Sequence, residues 1–148
     1  MSKHFNLEIV TPDGSVFNDQ VESLTFPSKM GEITILPDHV PLVGLVSFGE
    51  LVVRLGGKES YIAISGGVFE VLDGKKVRIL ADTAERAEAL NLEAILEAEA
   101  RARKIIQDKE FVDDRAFADA AAGLERELAR LKVARKHAKG RTSAPQNE

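Results

Sequence analysis

The stretch GEITILPDHVPLVG, Gly31 to Gly44, sets Glu32 and the pair Asp38-His39 into apolar sequence, with Pro37 and Pro41 on either side of the pair. Residues of these types support four kinds of site. An acid beside a histidine can orient an imidazole as a general base. Histidine with carboxylates can hold a divalent metal. Pro-Asp can close a turn, the aspartate accepting from the backbone in an Asx-type arrangement. Polar groups on apolar sequence can also be grip points for another protein.

The rest of the chain weighs against the first two. The three histidines, His4, His39 and His137, fall in different segments, and no H-E-x-x-H or comparable metal-ligand spacing exists. There is no cysteine, which excludes thiolate metal sites, thiol nucleophiles and disulfides. No serine stands in a nucleophile-elbow context. Gly57-Lys58 lacks both the earlier glycine and the following hydroxyl residue of a phosphate-binding loop. SGGVFEV, from Ser65, reads as a tight turn between hairpin strands and not as a dinucleotide loop opening a helix. No catalytic residues, metal or cofactor are therefore expected, and Asp38-His39 reads as a turn.

The elements that must position these residues change in kind near residue 81. Residues 1–80 hold one alanine, Ala63, with nine of the eleven glycines and four of the five prolines; residues 81–138 hold sixteen alanines and one glycine, Gly123. Glycine and proline punctuate short strands, whereas alanine favours helix. The expected class is α+β: an N-terminal antiparallel β-sandwich over 1–85, a C-terminal antiparallel two-helix hairpin over 86–138, and a flexible tail over 139–148. In HFNLEIV, Phe5, Leu7 and Ile9 alternate onto one face. Further strands are expected at Gln20–Phe26, Glu32–Leu36, Leu42–Val46, Glu50–Leu55, Ser60–Ser65, Val68–Leu72 and Lys76–Leu80. The pairs Gly56-Gly57, Gly66-Gly67 and Asp73-Gly74 are expected to be the turns between the later ones.

In the first helix Leu92, Ile95, Leu96, Ala102, Ile105 and Ile106 share a face. In the second, Phe117, Ala121, Leu124, Leu128 and Leu131 form a narrow seam suited to one partner helix. Asp113-Asp114 supplies cap and first-turn residues. So alanine-rich a hairpin buries little area, which makes it marginal alone and a candidate mobile element. From Leu128 to Asn147 there is no acid but six basic residues, Arg130, Lys132, Arg135, Lys136, Lys139 and Arg141. They are either a solvated helix end or a basic arm that meets an acidic surface.

The formal net charge of -4 argues against a nucleic-acid binder. No apolar run approaches the roughly 20 residues that span a bilayer, and the N-terminus lacks a signal-peptide core. The expectation is a soluble, cytoplasmic chain that meets a membrane only through partners.

GEITILPDHVPLV, YIAISGGVFEV and KKVRILADTAERAEAL, in this order and spacing, resemble the epsilon subunit of the bacterial F-type ATP synthase, over about residues 4–136. The resemblance implies a non-catalytic rotor part, peripheral on the cytoplasmic face of the plasma membrane. The sandwich would sit against the gamma subunit and the c-ring, coupling ion-driven rotation to ATP synthesis. The hairpin would fold on the sandwich or extend to the catalytic alpha and beta subunits and inhibit ATP hydrolysis. By position, Glu32 falls on the family acid near the c-ring loop and His39 on a histidine of the same end, with Asp38 and Pro41 in the same contact segment. The family usually has a small residue, often glycine, at Asp38, and commonly glycine at Thr34. Arg126, Arg130, Lys132, Arg135 and Lys136 fall where basic residues are expected to meet acidic segments of the head. Some members bind ATP through an Ile/Leu-Asp-x-x-Arg-Ala motif. Here Asn91 replaces the acid and Ala94 the arginine, so weak or no ATP binding is expected. A stand-alone enzyme using Glu32 and His39, and a generic sandwich-hairpin adaptor, are the competing readings.

Overall fold

The computed structural model describes residues 3–108 and 113–142, with side chains described as far as Lys136. The first half folds as strands β1 (Phe5–Thr11), β2 (Gly14–Val21), β3 (Ser23–Ser28), β4 (Gly31–Ile35), β5 (Leu42–Leu55), β6 (Lys58–Asp73), β7 (Lys76–Ala81) and β8 (Ala84–Arg86). They hydrogen-bond in the order β2-β1-β7-β6-β5-β3-β4, with β8 on β6. A 3-10 turn at Ala87–Ala89 leads to helices α1 (Leu92–Gln107) and α2 (Asp114–Thr142). This is the expected β-sandwich followed by two helices. Every pairing is antiparallel except β1 with β7, where Leu7 lies beside Val77 and Ile9 beside Ile79 in parallel register.

Alternation in β1 works as the sequence implies: Phe5, Leu7 and Ile9 are buried, joined in the core by Leu24, Phe26, Ile35, Leu51, Ile62, Ile64, Phe69 and Ile79. The stretch Gln20–Phe26 is not one strand. It breaks at Glu22, because Val21 pairs with Phe5 on β1 while Ser23 pairs with Arg54 on β5. Glu22 holds that switch, its N–H donating to the Arg54 carbonyl and its carboxylate accepting from the Gly56 N–H at 2.9 Å.

Two expected breaks between strands are also absent. Leu42–Val46 and Glu50–Leu55 are one strand, and Gly66-Gly67 lies inside β6 rather than between strands. Up to this pair β6 bonds to β8, and beyond it to β7. At the changeover the Ser65 N–H donates to the Thr83 carbonyl and the Asp82 N–H to the Gly66 carbonyl, both at 3.1 Å. A Cβ on Gly67 would collide with the Leu80 carbonyl. Gly67 lets two backbones touch, and Gly66 supplies a positive φ of 99° beside it. Gly56 and Gly57 do form the expected tight turn, both with positive φ (60° and 76°).

The second half departs from the narrow seam. Among the described α2 residues the buried ones are Glu127, Ala129, Leu131, Val133 and Ala134, whereas Phe117 is exposed. On α1, Ile95 and Ala102 are buried and Leu96 and Ile105 exposed. The reason is that α2 has two partners. Leu131 and Ala134 pack on Ile95 of α1, while Val133, fully buried, packs on Ala63 and Ala87 beneath Tyr61. Asp113 caps α2, accepting from the Ala116 N–H at 2.7 Å. The helix continues past residue 138 to Thr142. Residues 143–148 of the expected tail lie outside the described residues, as do the His137, Lys139 and Arg141 side chains.

Candidate functional site

Glu32, Asp38, His39 and Pro41 occupy one continuous segment, the edge strand β4 and the loop that joins it to β5. Glu32 is exposed and stands opposite Pro27 on β3. The loop is fixed from beneath. Asp38 adopts a left-handed φ of 65°, and its N–H donates to the Gly74 carbonyl at 2.8 Å. A Cβ on Gly74 would lie 2.5 Å from the Asp38 Cα. Gly74 itself is not left-handed, so the Asp73-Gly74 pair is not the turn type the sequence suggests; its glycine makes room for the β4–β5 loop. The left-handed backbone at residue 38 suits glycine, and aspartate tolerates this conformation at some cost. Thr34 sits in regular strand, with its hydroxyl 2.9 Å from that of Thr25, so nothing local requires glycine.

The His39 Nδ1 lies 2.7 Å from the Val40 carbonyl, to which it donates in the Nδ1–H tautomer. The imidazole thus helps hold the loop. A pocket of about 300 Å³ adjoins this segment, but its lining is Ser28, Lys29, Met30, Ile33, Leu42, Val43, Gly44, Leu45 and Phe69. Neither Glu32 nor His39 lines it, which leaves the enzyme reading without its site. Among the described residues no three His, Asp or Glu side chains gather as a metal site.

What gathers here is apolar surface. Met30 is 95% exposed, Val40 70%, Val43 67% and Leu45 56%. The backbone under this patch is stiff. The Ser28 hydroxyl donates to the Gly31 carbonyl at 2.6 Å and accepts from the Met30 N–H at 3.1 Å, and the Lys29 N–H donates to the Leu45 carbonyl. Gly44 leaves room for the Phe69 ring against β5, since a Cβ there would stand 2.5 Å from the ring. Phe69 in turn meets Phe26 edge-on at 4.8 Å. Met30, Val43 and Leu45 share the lining of that pocket, and exposed apolar surface on a backbone held in this way is the form of a protein-docking surface. The sequence reading singled out the rim and missed Met30, Val40, Val43 and Leu45. For Val40, Val43 and Leu45 the signal was the unalternating run from Ile33 to Val46, which a search for polar constellations passes over; Met30 lies outside it.

The basic residues of α2 divide. Arg130 pairs with Glu85 of β8 and, at 2.7 Å, with Glu127 of its own helix. Arg126 lies 3.5 Å from Glu127, which is 3% exposed. Lys136 bonds Glu50 of β5 at 2.9 Å and lies over the Tyr61 ring. Lys132 and Arg135 face outward. Burial lowers the Arg130 guanidinium pKa, and the bond to Glu50 raises that of Lys136. Beside this contact a polar cleft of about 380 Å³ is lined by Thr11, Asp13, Glu85, Arg126 and Arg130 among others. The acids Asp13, Glu85 and Glu127 counter its two arginines. Asn91 caps α1 by accepting from the Ala94 N–H at 3.2 Å, so the two altered positions of the nucleotide motif are joined in a structural cap.

Comparison with known proteins puts a family to this arrangement. The family model for the ATP synthase Delta/Epsilon chain β-sandwich domain matches residues 4–87. The ATP synthase epsilon chain of Nitratidesulfovibrio vulgaris (strain DP4) is 41% identical over 134 residues, spanning 90% of this chain and 97% of that one. The ATP synthase epsilon chain of Desulfitobacterium hafniense (strain DSM 10664 / DCB-2) is 41% identical over 135 residues, spanning 91% and 99%. Among solved structures, a chain of the Euglena gracilis mitochondrial ATP synthase OSCP/F1/c-ring assembly shares the fold with a TM-score of 0.73 at 24% identity, covering 94% of this chain and 83% of that one.

Proposed function

The chain belongs to the ATP synthase epsilon chain family, and on that premise we propose that it is a non-catalytic central-stalk subunit which couples c-ring rotation to ATP synthesis through contact with gamma. The observation that carries the coupling role is the exposed apolar surface of Met30, Val40, Val43 and Leu45, held rigid by Gly44, Gly74 and the β3–β4 turn. In this reading residues 1–85 are the rotor-binding unit. Glu32, Asp38, His39 and Pro41 rim a surface that meets gamma and the polar loops of the c-ring. A torque-bearing contact needs a stiff surface, and this loop is tied to the neighbouring turn by backbone rather than by mobile side chains.

Residues 86–138 are the regulatory unit. When the hairpin leaves the sandwich, Arg126, Arg130, Lys132, Arg135 and Lys136 meet acidic segments of the catalytic head and restrain ATP hydrolysis. The hairpin's small apolar footing on the sandwich, Val133 on Ala63 and Ala87, supports a detachable arm. No helix among the described residues is long and apolar enough to cross a membrane, so the proposed place on the cytoplasmic face is reached through partners.

Truncation after Ala87 in the assembled synthase tests the regulatory part. Hydrolysis rises on truncation if the hairpin restrains it; unchanged hydrolysis removes that role and leaves the coupling role to be tested by assembly.

A further inference from the structure

We infer that Glu50 and Glu85 act as a built-in competitor, holding Lys136 and Arg130 away from any acidic partner surface, so that docking on the sandwich and partner binding exclude one another at these two cations. The inference rests on the proposed regulatory role of the hairpin and adds which residues decide its release.

The contact between α2 and the sandwich has an apolar part and an ionic part. Its apolar part is Val133 with Ala63 and Ala87, packed by Tyr61 and Leu90. Its polar part is Lys136 on Glu50 and Arg130 on Glu85, with Glu127 placing the guanidinium. Glu50 is nearly buried, its side chain 7% exposed. Among the described residues, the buried side-chain polar atoms without a hydrogen-bond partner are Glu50 Oε2, Arg126 Nε, Glu127 Oε2 and Arg130 Nε, although Arg126 Nε faces Glu127 Oε1 at 3.5 Å. All four belong to this cluster. Such groups are disfavoured while buried and regain water on release. The docked state therefore carries its own incentive to open, opposed by two ion pairs. Lys132 and Arg135 remain exposed in the docked state, so an acidic surface can meet the helix first through them. Full engagement then requires Arg130 and Lys136 to leave their carboxylates.

Competition has a signature that simple stabilisation lacks. Removing the acids or removing the bases breaks the same two pairs and loosens docking alike. Only the acid variants leave the cations intact for a partner. The test uses the full chain with labels at Lys58→Cys and Ala118→Cys, which the absence of native cysteine makes site-specific. Spin-label distances report docking, and titration with poly-L-glutamate reports affinity for an acidic polypeptide. Relative to the parent, Glu50→Gln/Glu85→Gln should lengthen the distance distribution and bind poly-L-glutamate about two- to tenfold tighter, the range two partly exposed ion pairs can shift. Arg130→Gln/Lys136→Gln should lengthen the distances equally and bind more weakly. Circular dichroism checks that both variants keep their helix content, and Val133→Ala gives a release that touches no charge. The inference is overturned if the acid and base variants change affinity in the same direction, or if the acid variant leaves the distances unchanged. Neither readout involves ATP hydrolysis. A hairpin that fails to inhibit the synthase would sink the regulatory reading and leave this result to stand or fall separately.

Discussion

Asp38 and Gly74 are locked together backbone to backbone: the Asp38 N–H donates to the Gly74 carbonyl at 2.8 Å, and no room remains between them for a Cβ on Gly74. This contact decides where the Asp38–Pro41 segment stands relative to the apolar patch. Gly74→Ala should displace the loop and weaken assembly onto the stalk. Asp38→Gly should be neutral or slightly stabilising, because glycine accepts a φ of 65° freely. Asp38→Val should lower stability by about 1–2 kcal/mol, the usual penalty of a left-handed backbone for an L-residue. Thermal melts of the three variants check this order; a melt in which Asp38→Gly falls below Asp38→Val contradicts it.

Val43 and Leu45 are exposed on β5 and contribute little to the core, so Val43→Asp and Leu45→Asp should change the melting temperature only slightly. Each should weaken stalk assembly by roughly 1–2 kcal/mol or more, about tenfold, if they lie near the centre of the docked surface. Size-exclusion chromatography of the reconstituted stalk reads the loss.

Val133 is the fully buried side chain between α2 and the sandwich. Val133→Ala should destabilise docking by about 1–3 kcal/mol through lost burial and a residual cavity. Hydrogen exchange should show the change in α2 and in Ala84–Arg86, with β1, β3 and β7 still protected. Uniform deprotection of all strands would mean that the two halves open together.

Docking should also depend on pH at the alkaline end. The bond to Glu50 holds the Lys136 ammonium above its ordinary 10.5. Its bond to Glu59, then burial, holds the Tyr61 hydroxyl above 10.0. Both groups bind their protons more tightly folded than unfolded. Their contribution is complete below those ordinary values and is lost as pH rises through the folded ones. Glu59 runs the other way: bonds from Tyr61 and then Arg54 hold its pKa below 4.5, so its contribution is present above that value and is lost as pH falls. The spin-label distance should be flat across neutral pH and lengthen in the alkaline range. Lys136→Gln should flatten much of that response; an unaltered alkaline response would contradict the assignment.

Asn91 caps α1, and Ala94 offers no charge to a phosphate. Calorimetry with ATP should show no binding tighter than about a millimolar dissociation constant, since the bidentate arginine contact is absent. Asn91→Ala should cost about 1 kcal/mol of α1 stability through the lost cap. A micromolar ATP affinity would contradict this expectation.

Residue period and composition made the sandwich and the two helices legible. Phe5, Leu7 and Ile9 alternate because β1 is buried on one side only, and the alanine content changes where the sheet ends. Glycine misled at two places. Gly67 and Gly74 are needed for close backbone approach and Gly66 for its positive φ of 99°, and close approach is a property of the neighbouring segment, invisible in the local sequence. The α2 seam was misplaced for a similar reason: a helix pattern cannot say that Val133 faces a sheet while Leu131 faces a helix. In the β4–β5 segment Glu32, Asp38 and His39 were readable as unusual polar residues, whereas the exposed apolar residues beside them are ordinary ones. Met30, Val43 and Leu45 become informative only once their exposure is known.

The most direct test of the account is a titration of the full chain onto a purified gamma–c-ring assembly, with parent, Val43→Asp and Leu45→Asp chains in parallel. The account predicts a complex at micromolar concentration for the parent and about tenfold weaker binding for each variant at unchanged fold. Absence of a complex with the parent chain at micromolar concentration, or parent-like affinity in both variants, would contradict it.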